Sequence, residues 1–557
     1  MPKRLTDIFH RKLSGLHEAA YLLAAFALLS QALGLFRDRL LAHSFGASPA
    51  LDVYYAAFRI PDFLFVSLAS LAGAYVLIPF LEEKKREGKV AAKEFLSGIW
   101  TALFAGMAFA SAVLFFVIPP LSHFVVPGFS GAEREEFIFL SRLFLLSPFL
   151  LGFSNLLGSV TQAGKRFFAF ALSPVLYNLG IIAGIIALAP LWGVRGIALG
   201  VVAGAMLHLL IQIPAARAEG IFPRMSRIRW GEVWRVFSVS LPRTLALSAS
   251  HFSLLVLIAV ASLVSQGSIS IFQFSFNLQS VPLGIIGVSY SVAAFPTLAR
   301  LWGEKDTKKF LDHLGASFRH IILWSLPVTM IFIVLRAQIV RVVLGSGAFN
   351  WEHTRLVAAA LAVFSISLLA QNLVLLLARG YYAAGKTKQV LLAGLSSSLL
   401  TILLGMVLFR LVSDSAGFRA FIEAVLKIEG IGGSAVVALP LAWSIGLIAN
   451  AVLLAVLFRR DFGGFGGGVW RSFWENLAAS ILLGVTAYVS LNILDNFFNL
   501  NTFLGVFFQG AIAGVISSIV WGASLFALKN REFLDTVASF RRKFWRAQPV
   551  LSEQEGL

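Results

Sequence analysis

Apolar stretches long enough to cross a bilayer recur fourteen times along this 557-residue chain, separated by short polar gaps. A transmembrane helix needs about 20 consecutive, mostly apolar residues. Segments that meet this length run 20–41, 53–81, 95–118, 136–160, 167–190, 194–216, 237–263, 271–300, 316–341, 354–379, 388–411, 434–458, 470–492 and 502–528. The pattern predicts an all-α integral membrane protein of about fourteen transmembrane helices. No small-residue cleavage site follows the first run, so it reads as a retained span.

The polar gaps alternate in charge. Lys3, Arg4, Arg11 and Lys12 precede the first span, five cations lie between Glu82 and Glu94, and five more between Pro214 and Arg235. The tail carries Lys529, Arg531, Arg541, Arg542, Lys543 and Arg546, whereas the gaps 42–52, 264–270 and 493–501 hold no Lys or Arg. The positive-inside rule then places both termini in the cytoplasm and requires an even number of spans. A net charge of +18 would otherwise suggest nucleic acid. Placed as it is, it orients the chain and meets anionic membrane lipids, at about 1 kcal/mol per cation near the surface. From Asn530 to Arg546, aromatic and basic residues interleave as in a helix lying on a membrane.

Four landmarks recur at nearly one spacing. Phe45–Gly46 is echoed by Gln266–Gly267, Pro79 by Pro296, Pro127–Phe129 by Gly347–Phe349, and Ala163–Lys165 by Ala384–Lys386. This order predicts duplicated six-helix lobes of equal orientation, related by an axis along the membrane normal. The expected organisation is a cytoplasmic segment 1–19, an N-lobe 20–216, a basic linker 217–236 and a C-lobe 237–458. Two extra spans at 470–528 and a basic tail 529–557 follow. Repeat-built transporters hold cargo between lobes that rock alternately.

Charges inside the spans cost about 2.5 to 3.5 kcal/mol each on insertion scales, so they mark partners or wet cavities. Arg37, Asp38 and Arg39 close the first span, seven residues beyond Ser30. Asp52 opens the second, and Arg59, two helical turns on, is expected on the same face as a clamp or gate. Arg142, with Asn155, Gln162 and Asn178, either lines the first lobe or, as buried amides more often do, staples helices together. The second lobe offers the neutral residues His251, Gln273, Asn277, Gln279, Gln371 and Asn372. Pro61, Gly73, Pro148, Pro174 and Pro282 interrupt spans, and Pro282 is the expected hinge.

The chain has no cysteine, which excludes disulfides and thiol chemistry, and its nine histidines are scattered. The glycine run 463–468 lacks the Lys-Ser/Thr ending that cradles phosphate. No metal-ligand spacing and no nucleophilic triad appear. The expectation is therefore no cofactor, with an ion gradient or the membrane potential as energy source.

The stretch Ser30, Leu33–Gly34, Arg37–Asp38, Phe45–Gly46–Ala47, Asp52, Ala57–Phe58, Pro61 and Pro79 resembles the MurJ family of lipid II flippases. Asn277–Ala299 and Arg379–Lys388 match as well. The resemblance implies two helical lobes around a cationic cavity in a bacterial cytoplasmic membrane. It implies movement of lipid II, an undecaprenyl-pyrophosphate-linked peptidoglycan precursor, from the inner to the outer leaflet. It implies a lipid-tail groove made with the last two spans, and a place beside the cell-wall synthesis machinery. Family members carry cavity arginines where this chain has Gln31, Phe65 and Asn277, and a glutamate where it has Ser70. Guanidinium forks suit a pyrophosphate; Arg37 falls on the family's motif, and Arg59 and Arg142 could partly substitute for the missing arginines.

Other readings stand beside this one: a flippase for another lipid-linked oligosaccharide, a cation-coupled drug antiporter, a membrane enzyme, or a non-transporting cell-wall scaffold. The antiporter calls for an acidic cavity, and the inward-placed carboxylates are Asp38 and Asp52. The enzyme calls for paired acids or a His–Asp site.

Overall fold

The computed structural model describes residues 16–69, 73–465 and 467–545. Lys3, Arg4, Arg11, Lys12, Ser70 and Arg546 lie outside the described residues. Among the described residues every regular element is helical. Twelve helices are long and apolar enough to cross a membrane. A thirteenth span forms if Trp351–Ser365 and Leu368–Ala383, which meet at 44°, count as one.

The segment expected as the second span differs from its neighbours. After α1 (Leu16–Phe45) it folds as three helices, α2 (Pro49–Ala57), α3 (Arg59–Leu68) and α4 (Ala74–Glu87). Pro61 explains the first break. It has no N–H for the carbonyl of Ala57 and its ring crowds that carbonyl, so α2 stops there. Ser48 starts α2 by accepting a hydrogen bond from the N–H of Leu51, with Pro49 preset for the first turn.

The same rule divides the fourth span. After α5 (Lys89–Val125), α6 (Gly131–Phe144) ends four residues before Pro148, and α7 (Leu146–Ala163) continues. Inside α5, Pro119 deprives the Phe115 carbonyl of its donor without ending the helix. Next, α8 (Phe167–Ala183) packs on Val194–Leu210 almost backbone to backbone. A methyl group on Gly180 would lie 2.6 Å from the Gly204 nitrogen. Small residues permit this approach, which supplies dispersion contacts where lipid gives no hydrophobic drive.

The chain forms two compact units. One takes the chain up to Val281 with Val343–Phe364 and Lys386–Asn450; the other takes Pro282–Val342, Ser365–Gly385 and the chain from Ala451. The stretch 237–458 contributes to both. The chain leaves the first unit at Pro282, where a π-helical turn, Leu283–Val288, follows the proline. Such turns relax the hydrogen-bond ladder and recur at functional bends. In the second unit Trp521 meets Phe533 edge to face at the start of the tail helix Arg531–Trp545, and Glu532 pairs with Arg319. The tail is helical as its sequence suggested, and its first turn is anchored.

Candidate functional site

Three charges inside the first unit, Arg37, Asp38 and Arg59, are joined in a continuous polar chain. Asn178 on α8 donates to the Ser30 hydroxyl (3.1 Å) and accepts from Arg37 (3.2 Å). Arg37 also donates through Nε (3.0 Å) and a terminal nitrogen (2.8 Å) to one oxygen of its neighbour Asp38. The other Asp38 oxygen accepts from Asn277 (2.8 Å) on the helix Ser268–Pro282. Gln273, one turn earlier, donates to the side-chain oxygen Oδ1 of Asn277 (2.7 Å) and accepts from Arg59 on α3. Ser30, Arg37, Asp38, Arg59 and Asn277 are thus joined, with Asn178 and Gln273 as links.

The physics of each link is local. Asp38 is 3% exposed, and an ionised carboxylate that dry requires charge-assisted donors, which Arg37 and Asn277 supply. Gln273 and Asn277 sit four apart and so share a helix face. An amide can donate to one neighbour and accept from the next, so the two amides pass the chain from Asp38 to Arg59.

Asp52 does something else. Its two oxygens accept from the backbone N–H of Gly267 (2.7 Å), the backbone N–H of Ser270 (2.7 Å) and the Ser270 hydroxyl (2.6 Å). It caps the start of Ser268–Pro282 from more than 200 residues away in sequence. The first N–H groups of a helix lack internal partners and favour negative charge, so a buried carboxylate is at home there. The expected Asp52–Arg59 clamp is not formed. Its premise was one uninterrupted helix, and the break that Pro61 imposes at Phe58 sends the two side chains to separate partners.

Near Asp52 two of the four repeated landmarks meet crosswise, at the ends of the spans away from the basic loops. The Ala348 N–H donates to the His43 carbonyl (2.9 Å), and the Gly128 N–H donates to the Ser262 hydroxyl (3.1 Å). Gly46 and Gly267, the repeat-related pair, both have positive φ, +62° and +86°. A methyl group on Gly46 would lie 2.6 Å from the Ala348 carbonyl oxygen, and one on Gly267 equally close to that of Ala47. Glycine is required at both for conformation and for space. Matching contacts between repeat-related loops are what an internal two-fold produces. Arg39 donates to the Val343 carbonyl (3.3 Å) at the same end, rather than reaching only to the surface.

Arg142 does not join this cluster. Its Nε donates to the Phe115 carbonyl (2.9 Å), the one that Pro119 leaves without a donor, and its guanidinium lies 4.3 Å over the Phe115 ring. The expectation that it lines the first lobe is corrected: it repairs a kinked helix. Gln162 bonds back to the Gly158 carbonyl of its own helix (3.0 Å). In the second unit Gln371 and Asn372 are bonded to Ser367 (3.0 Å) and Ser325 (2.8 Å). The sequence reading passed over Asp62, the one carboxylate within the second apolar segment, and the tyrosines Tyr54 and Tyr177 that are electrostatically coupled to it. The signal was present, since a carboxylate directly after Pro61 stands out in an apolar run.

Among the described residues no group of three or more histidine or acidic side chains could hold a metal ion.

The family model described as "Lipid II flippase MurJ" matches residues 41–509. A lipid II flippase MurJ from Burkholderia cenocepacia is 27% identical over 86% of this chain and 90% of its own length. A probable lipid II flippase MurJ from Haemophilus influenzae is 28% identical over 91% and 98%. Among solved structures, "Lipid II flippase MurJ, inward closed conformation" superposes with a TM-score of 0.71 at 22% identity, over 91% of this chain and all of that one. An inward-facing multidrug MATE-family transporter gives 0.60 at 12% identity, over 80% and 98%. These likenesses establish the fold. With the family match spanning most of its length, this multi-pass membrane chain belongs to the MurJ family of lipid II flippases.

Proposed function

We propose that this chain carries lipid II from the inner to the outer leaflet of a bacterial cytoplasmic membrane by alternating access, as a transporter and not an enzyme. Both termini would lie in the cytoplasm, which puts the Asp52 cap and the crossed glycine loops at the outer end. The carrying observation is the polar chain from Ser30 to Arg59. It places two half-buried guanidiniums, Arg37 and Arg59, on partners that can be exchanged for phosphate oxygens. The contacts between the landmark loops would hold the outer end shut. Opening it would withdraw Gly267 and Ser270 from Asp52 and Gln273 from Arg59 in one movement, because all three sit on one helix segment.

The remaining features fit the same cycle. The last two spans, Val469–Leu494 and Phe503–Ala527, present exposed Val485, Tyr488, Val489, Phe507 and Ile519, an apolar surface suited to a long prenyl tail. A gradient or the membrane potential would drive the cycle, and cell-wall synthesis enzymes would take the product. Lipid II translocation by purified protein in vesicles, together with rescue of cells depleted of their own flippase, tests the reading. Absence of both with well-expressed protein sinks it.

A second reading, transport of another lipid-linked oligosaccharide, is favoured by one observation. Asn277, where the resemblance calls for an arginine, donates to Asp38. Comparing binding of lipid II with that of other prenyl-pyrophosphate glycans separates the two.

A further inference from the structure

Asp62 is a carboxylate of this region that the polar chain leaves out. It lies on α3, three residues after Arg59 and therefore on the same helix face. It is half-buried, and its backbone N–H bonds to the Phe58 carbonyl (2.8 Å) in the ordinary helical way. Among the described residues its side chain has no hydrogen-bond donor and no ion-pair partner. Arg59, the cation one turn away, is turned across to Gln273 instead.

The groups that face Asp62 come from several helices. Arg59 acts from its own helix, Tyr54 from α2 and Tyr177 from α8. Tyr54 and Tyr177 also lie within electrostatic reach of Arg37. Tyr55 and His251, the latter on Trp230–Ser262, face Arg59. On the other elements packed against α3, α7 contains no titratable residue. His123 of α5 and Arg134 of α6 are engaged with each other (3.0 Å), and Arg142 with Phe115.

We propose that Asp62 is a proton site, and that a phosphate-bearing anion binding beside Arg37 and Arg59 is taken up together with one proton on this carboxylate. The inference rests on the reading of that site as one for a pyrophosphate. A carboxylate without donors inside a membrane protein is costly while charged, and a second anion beside it adds like-charge repulsion. One proton from water onto a carboxylate oxygen removes both costs. It also turns an acceptor into an O–H that can donate to a phosphate oxygen, and it returns to water when the anion leaves. A metal ion is a poor alternative. Hard cations such as Mg2+ or Ca2+ want about six oxygens, whereas among the described residues no cluster of three acidic or histidine side chains includes Asp62.

The test uses the full chain in lipid nanodiscs. The probe is a short-chain prenyl-pyrophosphoryl N-acetylglucosamine, a diester whose pyrophosphate does not titrate near neutral pH. Calorimetry in two buffers of different protonation enthalpy counts protons taken up per ligand. The wild-type chain is expected to take up close to one proton, with affinity rising up to about tenfold per unit fall in pH, the limit for one coupled proton. Asp62→Asn is expected to bind with a flat pH profile and no uptake, and Asp62→Glu to restore uptake. Binding by the wild type without proton uptake overturns the proposal, as does an unchanged pH slope in Asp62→Asn; either leaves the pyrophosphate site standing. If neither protein binds the probe at any pH, the site reading itself fails and this inference falls with it.

Discussion

Arg142 and Arg59 both stand in apolar segments next to a proline break, yet the fold treats them oppositely. Arg142 answers a backbone carbonyl that Pro119 left bare and stacks on the ring of the same residue, Phe115. Both contacts come from one neighbouring helix and have no reason to change. Arg59 is held by a single side-chain amide, Gln273, and its Nε is buried without a partner. A guanidinium with spare donors and one removable bond is available to a ligand; one fixed to a helix defect is not. The contrast teaches that an intramembrane arginine declares its role by what it is bonded to, not by its depth.

The strongest way to sharpen this contrast is to remove what holds the Arg59 partner helix in place. Asp52→Asn puts an N–H among three donors, so it should cost about 3 kcal/mol, roughly a hundredfold in the balance between shut and open outer ends. Rescue of flippase-depleted cells is expected to fail. The chain is free of native cysteines, so a single Val126→Cys probe, at a position now fully buried, should become reactive to an external thiol reagent. An Asp52→Asn protein that still rescues and keeps the introduced thiol protected would refute the latch.

Next in size is the pair itself. Arg59→Ala should reduce lipid II translocation about tenfold or more at unchanged protein level, the loss of one charge-assisted contact. Arg142→Ala should do the reverse: translocation per folded molecule near normal, but stability in detergent lower by about 2 kcal/mol, from one carbonyl bond and one cation–π contact. Thermal unfolding and vesicle assays on both variants decide; equal behaviour in the two assays breaks the comparison.

The smallest effect is the most specific. Pro119→Ala returns a donor to the Phe115 carbonyl, so in that background Arg142→Ala should cost about 1 kcal/mol less, the net worth of one hydrogen bond. A double-mutant cycle reads the coupling. Strict additivity would show that Arg142 serves some purpose other than the kink.

Much of the site was legible because burial makes charge expensive. Ser30, Arg37, Asp38 and Arg59 stood out in apolar runs, and the structure joins them. Asn277 was noticed as a departure from a family pattern, and its bond to Asp38 gives that departure a local meaning. What misled was the assumption that an apolar run is one helix. Asp52 and Arg59 look like neighbours at seven residues, but Pro61 divides the run between them. Arg142 misled for a related reason: the carbonyl it serves lies 27 residues away, and nothing in the linear spacing couples the two. Asp62 was overlooked although its signal was of the same kind as the rest.

By itself, then, the sequence determined the membrane, the number of spans to within one or two and the segments that must break, since the cost of polar groups in hydrocarbon acts residue by residue. It also holds four landmarks that recur at nearly one spacing, from which a repeat is expected. Which polar groups meet was decided only by the tertiary structure. A hydrogen bond between Asp52 and Gly267, or between Arg37 and Asn178, depends on how helices far apart in the chain are turned about their axes, and that rotation follows from the packing of all their faces at once.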